Sequence, residues 1–178
     1  MPSLTRFEQL LCRFASCGVK FVLIRGVASS IHGSSRATFD LDLLYERSDQ
    51  NLVRVIDALA PLHPYLRGAP PGLPFRFDFK TLQNGLNFTL TSDLGDVDLF
   101  GEVPGGGVYQ NLLQESIEVR LADDVSIQVV DLDALIRLKN AVGRARDLEA
   151  VAESLHIKEE RKRISSPDRP SIASHAKP

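Results

Sequence analysis

The chain has no tryptophan, one methionine and two cysteines in 178 residues. Cys12 and Cys17 fit neither a metal knuckle nor a redox pair, so neither a disulfide framework nor a zinc–thiolate site organises the fold. Both read as small packed or surface thiols. His63, His156 and His175 are scattered along the chain and offer no zinc set either. No apolar run approaches the ~18 residues of a membrane span. The leader Met-Pro-Ser-Leu-Thr-Arg lacks a charged start followed by a long apolar stretch. The expectation is therefore a soluble, cytoplasmic protein with no membrane partner. An excess of basic charge is missing too. Lys and Arg number 21 against 23 Asp and Glu, for a formal net charge of -2. That balance excludes a non-specific nucleic-acid coat, though not a small basic patch around a site.

What is present is an ordinary globular composition, 43% hydrophobic and 25% charged, which can bury one core without staples. Leu4, Phe7, Leu10, Leu11 and Phe14 recur at helical spacing between Ser3, a capping residue, and Gly18, predicting a helix over Ser3–Cys17. The run Lys20–Ile24 is short, apolar and β-branched, and reads as a buried strand. A short helix over Val27–His32 and a strand over Phe39–Tyr45 follow. Ser48 caps a helix over Asp49–Leu62, with Leu52, Val53, Ile56 and Leu59 on its inner face. Prolines 61, 64, 70, 71 and 74 then mark a loop. Asn87–Thr91 and Asp96–Glu102 form one expected hairpin, and Ile117–Leu121 and Val125–Val130 another, turning at Asp123–Asp124. Helices over Asp131–Val142 and Asp147–Leu155 close the domain. The fold class expected is α+β, a small mixed β-sheet with packed helices and a C-terminal helical pair, spanning residues 1–157. Residues 158–178, charged and then rich in Ser and Pro, form an expected tail that is disordered or at most a frayed helical end.

The chemistry concentrates at Asp40-Leu41-Asp42. On a strand, residues two apart share a face, so both carboxylates meet one side while Leu41 and Leu43 enter the core. Two anions side by side repel unless a cation lies between them. Paired hard oxygen ligands suit Mg²⁺, usually alongside substrate phosphates. Upstream, Ile24-Arg25-Gly26-Val27-Ala28 takes a buried strand through glycine straight into a helix. Such a junction exposes backbone N–H groups that can seat a phosphate. Arg36 and Thr38 add a cation and a hydroxyl nearby. Asp98, in Val97-Asp98-Leu99, adds a third carboxylate on another strand, and Asp96 shares its face nearer the turn. Three carboxylates on two strands beside a phosphate seat suit a two-metal site, with ions ~3.5–4 Å apart. His32 has no Ser or Cys partner and reads as a residue that either supports the site from behind or packs.

Together, Ile24-Arg25-Gly26, His32-Gly33, Arg36, Thr38, Asp40-Leu41-Asp42 and Gly95-Asp96-Val97-Asp98-Leu99 resemble the minimal nucleotidyltransferases of the DNA-polymerase-β-like superfamily. The branch most similar contains abortive-infection and toxin–antitoxin nucleotidyltransferases. Leu132–Lys139 and Gly143–Leu148 are similar to it as well. The resemblance implies Mg²⁺-dependent transfer of an NMP group from an NTP to an acceptor that is RNA, protein or a small molecule. It also allows a toxin role with an antitoxin partner. It implies that Asp40 and Asp42 hold two Mg²⁺ ions, that Asp98 joins one of them and helps activate the acceptor hydroxyl, and that Gly26 offers its backbone to the phosphates. Lys139 would reach the triphosphate from its helix. Arg144 and Asp147 would serve either the nucleotide pocket or the packing between helices.

One departure stands out. The superfamily carries a pair of small residues after its first strand, and here the pair is Arg25-Gly26. The arginine either adds a phosphate contact or crowds the nucleotide. The competing reading is accordingly a catalytically silent nucleotide-binding or interaction module of the same fold. A metal-dependent phosphohydrolase would explain the carboxylates but not the strand–Gly–helix junction.

Overall fold

A computed structural model describes residues 6–122, 124–143 and 145–165, with the backbone alone for 145–148. Helix α1 (Arg6–Ser16) buries Leu10, Leu11 and Phe14. Its expected cap, Ser3, lies outside the described residues, as does the turn residue Asp123. Strand β1 (Phe21–Ile24) is buried at every position and runs into α2 (Arg25–Ile31) with no intervening loop. Strand β2 (Asp40–Tyr45) follows, then α3 (Asp49–Leu59) and a 3-10 turn at Ala60–Leu62. Ser48 caps α3 by accepting from the Asn51 N–H at 3.4 Å. The buried stripe of α3 is Leu52, Val55, Ala58 and Leu59. Val53, expected inside, is 47% exposed. Leu52, Val55 and Leu59 centre the buried stripe, and at 3.6 residues per turn position 53 falls about 100° round the helix from Leu52, toward solvent.

Strand β3 (Tyr65–Leu66) and helix α4 (Phe79–Asn84) lie within and after the proline-rich stretch, where only loop was expected. Strands β4 (Asn87–Ser92) and β5 (Gly95–Phe100) make the first hairpin. A separate pair, β6 (Glu102–Val103) and β7 (Gly107–Val108), and the short helix α5 (Tyr109–Leu113) occupy the glycine-rich break. Strands β8 (Ser116–Ala122) and β9 (Val125–Val130) form the second hairpin. Helix α6 (Leu132–Val142) is capped by Asp131, whose Oδ1 accepts from the Ala134 N–H at 2.8 Å.

The strands assemble into one seven-stranded mixed sheet, in the order β3–β4–β5–β2–β1–β9–β8, with β6 and β7 apart. The architecture is α+β. The sheet is larger than expected because both hairpins join it, one on each side of the β2–β1 centre. Strand β1 pairs antiparallel with β2 and parallel with β9, and β2 pairs parallel with β5. Asn51, fully buried on α3, ties this centre together. Its Oδ1 accepts from the Lys20 N–H at 2.7 Å, and its Nδ2 donates to Lys20 O at 3.0 Å and Glu46 O at 2.8 Å. One side chain thus fixes the start of β1 against the end of β2, and with it the register opposite Asp42.

Helices α6 and α7 (Ala145–Ser165) pack together as the expected C-terminal pair. Helix α7 does not end near residue 157. It continues through the charged segment to Ser165, where Lys158 pairs with Asp133 and Arg161 Nη2 donates to His32 O at 3.1 Å. Those anchors carry Lys158–Ser165 with the body of the domain. Residues 166–178, the rest of the expected tail, lie outside the described residues. No helix among the described residues is long and apolar enough to cross a membrane.

Candidate active site: four carboxylates and two arginines on one sheet face

The parallel β2–β5 ladder pairs Asp40 with Asp96 and Asp42 with Asp98. Directly paired residues share a face, so all four carboxylates stand together in two rows. Leu41, Leu43, Val97 and Leu99 point the other way and are completely buried. The alternation that fills the core thereby forces the charges onto one surface. Asp96, which the sequence places on the same face nearer the turn, belongs to the group.

Asp42 is the deepest of the four, with its side chain 6% exposed. Its contact is Arg25 Nη1, 3.4 Å from Oδ1. Oδ2 has no hydrogen-bond partner among the described residues. Burial, together with repulsion from Asp40 and Asp98 and only partly offset by Arg25, pushes Asp42 up to about 7. Asp98 is also raised, chiefly by burial, against the opposing pull of Arg67. Asp40 is more open and takes the Thr38 hydroxyl at 3.4 Å on Oδ1.

Arg67 completes the face, and nothing in the sequence reading assigned it a role. Its N–H donates to Thr89 O at 3.0 Å, placing it beside β4, one strand over from β5. From there Nη2 bonds both oxygens of Asp98, at 2.8 and 3.0 Å. Nη1 lies 3.2 Å from Asp96 Oδ2 and 3.8 Å from Asp40 Oδ2. The available signal was its isolation: between His63 and Arg76, Arg67 is the only charged residue in an apolar and proline-rich run.

Arg25 occupies a left-handed backbone conformation, φ +59°, at the end of β1. A non-glycine residue there is strained and persists only where its surroundings hold it. Two contacts do so. The guanidinium meets Asp42, and it stacks 4.3 Å above the centre of the Phe100 ring. The side chain therefore lies on the carboxylate face itself. Gly26 follows in α2, whose first turn has no side-chain cap. A Cβ at position 26 would collide with Thr38 Oγ1 and come within 2.8 Å of Thr38 Cβ. The glycine thus lets the segment before β2 lie against the β1–α2 junction, which brings Thr38 to Asp40. Since α2 is only seven residues long, its end charge is small, and the seat consists of the uncapped backbone itself.

The structure brings Arg25, Gly26, Thr38, Asp40, Asp42 and Asp98 together. Arg36 and Lys139 are engaged elsewhere. Arg36 pairs with Glu153 at 3.1 Å and Glu149 at 3.4 Å on α7. Lys139 Nζ donates to Ser154 Oγ at 3.1 Å, between α6 and α7. Arg144 and the side chain of Asp147 lie outside the described residues. His32 is buried and its Nε2 lies 2.8 Å from Val130 O, the packing role of the two expected. A concavity of about 700 Å³ opens at the opposite end of β4 and β5, lined by Asn87, Gly105–Gly107, Asn111 and Arg137; it contains none of the four aspartates.

The donor set suits a hard divalent cation: all-oxygen ligands, one of them buried with an oxygen unpartnered. Asp40 and Asp42 fit that group directly. Asp98 fits it only without Arg67, whose fork takes both of its oxygens. Among the described residues, no three His, Cys, Asp or Glu side chains are gathered closely enough to hold a metal ion. Comparison with known proteins finds no matching family model and no matching curated protein.

Proposed function

We propose that the chain is a divalent-cation-dependent nucleotidyltransferase that moves an NMP group from an NTP to an acceptor hydroxyl. The observation that carries this reading is Asp42: buried, in register with Asp98, holding an oxygen without a hydrogen-bond partner among the described residues, and paired across the sheet with Ile24 at the end of β1. A carboxylate so placed is costly unless a cation compensates it. Asp40 and Asp42 would hold Mg²⁺, and Asp98 would join them. The ions would neutralise the triphosphate and the pyrophosphate leaving group as charge develops.

The residues of the chain supply the rest. The uncapped first turn at Gly26 presents backbone N–H donors to phosphate oxygens. Thr38 fixes the rotamer of Asp40 through its hydroxyl. Burial gives Asp98 a raised proton affinity, which suits a base drawing the proton from the acceptor hydroxyl. As the acceptor oxygen bonds to the α-phosphorus, the bond to the bridging oxygen breaks and pyrophosphate leaves.

A second reading has its own observation. Arg67 and Arg25 already meet Asp98 and Asp42, so the face resembles a closed ion-pair network and supports a silent module. The deciding experiment incubates the protein with each labelled NTP, Mg²⁺, and total RNA or lysate. Label retained in the RNA, protein or small-molecule fraction supports transfer and names the acceptor class. Binding of Mg²⁺·NTP without label transfer in any fraction supports the silent module.

A further inference from the structure

We propose that Arg67 is an internal counter-cation that closes the carboxylate face and competes with a divalent ion for the same oxygens. This rests on the reading of Asp40, Asp42 and Asp98 as metal ligands. One guanidinium reaches three carboxylates from two strands: Asp98 at 2.8 Å, Asp96 at 3.2 Å and Asp40 at 3.8 Å. A planar fork suits such multiple recognition better than any other side chain. Because both Asp98 oxygens are taken, the fork and a hard cation cannot use that carboxylate together. By linkage, whatever Arg67 adds to the stability of the metal-free face it subtracts from metal affinity.

The way Arg67 is mounted allows it to leave. The side chain is 29% exposed, whereas the Asp98 beneath it is 11% exposed, so the guanidinium is the outer member of the pair. The neighbouring Gly68 sits at φ +79° with open space around its Cβ position. Arg67 is held by its ion pairs to Asp98, Asp96 and Asp40 and by the backbone bond to Thr89. A purely structural clamp would be expected deeper and walled in. Exclusion of the cation until polyphosphate is also present is the consequence, since phosphate offers the displaced guanidinium a new partner.

Mn²⁺ is the probe, titrated calorimetrically into the full chain without nucleotide, with the thermal midpoint followed in parallel. Arg67→Gln should bind Mn²⁺ at least tenfold more tightly than the wild type, and its metal-free midpoint should fall. Arg67→Lys, which keeps the charge but loses the fork, should lie between the two. Should Arg67→Gln fold poorly, the double variant Arg67→Gln with Asp96→Asn removes one uncompensated charge and should show the same gain over Asp96→Asn alone. Equal Mn²⁺ affinity in wild type and Arg67→Gln overturns the competition while leaving the metal reading intact. Arg67→Lys matching wild type overturns the fork. Absence of Mn²⁺ binding in every variant overturns both the competition and the metal reading.

Discussion

Asp42 and Asp98 stand opposite each other across the β2–β5 ladder, yet their charges are met very differently. Asp98 receives two short bonds from one guanidinium, at 2.8 and 3.0 Å. Among the described residues Asp42, the more buried, has one hydrogen-bonding contact, with Arg25 at 3.4 Å. The deeper group is thus the less compensated, the reverse of what a network built only for stability would show. An under-compensated buried carboxylate is relieved either by a proton or by an incoming cation, and that asymmetry is the physical basis for proposing this face as a site.

The first prediction follows from that role. Asp40→Asn and Asp42→Asn preserve side-chain shape but remove the charge that holds a divalent ion. Each should abolish nucleotide transfer, measured by label incorporation, while circular dichroism and the unfolding transition remain those of a folded protein. Undiminished transfer in either variant would remove the ligand assignment for that residue.

The second concerns pH. The ordinary Asp value of 3.8 rises to about 7 for Asp42 in the folded protein. Between those values the native state holds a proton that the unfolded chain has released. Stability from this group is therefore full below pH ~4 and is lost as pH rises toward ~7, a change on the order of 4 kcal/mol. The raised value of Asp98 acts in the same direction. Asp42→Asn should remove most of this slope. The urea midpoint of the variant should then exceed that of the metal-free wild type increasingly from pH 4 to pH 8. A constant difference across that range would show that Asp42 is ionised throughout.

Much of the site could be read from the chain because period two on a strand is unambiguous. Asp40 and Asp42, with Leu41 and Leu43 between them, could only divide as charge on one face and core on the other. Arg67 could not be read in the same way. It sits beside a two-residue strand inside a run of prolines, and it reaches the aspartates only because β3 adds to β4, a pairing that no local pattern announces. Asp96 was legible by period but discounted for lying near the Gly95 turn, although the parallel register places it squarely opposite Asp40. Arg36 and Lys139 point the other way. Both carry the right charge at suggestive positions, but α7 runs to Ser165 and supplies nearer partners in Glu149, Glu153 and Ser154. That extension was hidden because the segment from Lys158 onward is charged, and its anchors, Asp133 and His32 O, are distant in sequence.

The third prediction isolates the backbone at Arg25. Arg25→Gly and Arg25→Ala both remove the contacts to Asp42 and Phe100, but only glycine accepts φ +59° without strain. The glycine variant should be the more stable of the two by about 1 kcal/mol, the lower end of the left-handed cost. Chemical denaturation of the pair measures it directly. Equal stability would mean that the junction relaxes out of the left-handed region once the arginine is gone. Nucleotide binding gives a second readout: a side chain that touches the triphosphate should cost ~1–3 kcal/mol of Mg²⁺·ATP affinity when cut to alanine. Tighter binding after truncation would identify Arg25 as an obstruction.

The last prediction tests why position 26 is glycine. A Cβ there would collide with Thr38 Oγ1 and lie 2.8 Å from Thr38 Cβ. Both neighbours are at the base of a short, β-branched side chain, so neither can swing aside as the tip of a long one would. Gly26→Ala should therefore push the Thr38 segment off the β1–α2 junction and destabilise the fold by roughly 1–3 kcal/mol, the usual scale of overpacking. Because Thr38 also bonds Asp40, the shift should lower divalent-ion affinity as well. The double-mutant cycle separates the two effects. Thr38→Gly removes both colliding atoms, so Gly26→Ala should cost little stability in that background, whereas divalent-ion affinity should stay low because Asp40 has lost its hydroxyl partner. If Gly26→Ala is as costly with glycine at 38 as with threonine, close approach is not what selects the residue. The backbone conformation of the first turn of α2 would then have to supply the reason.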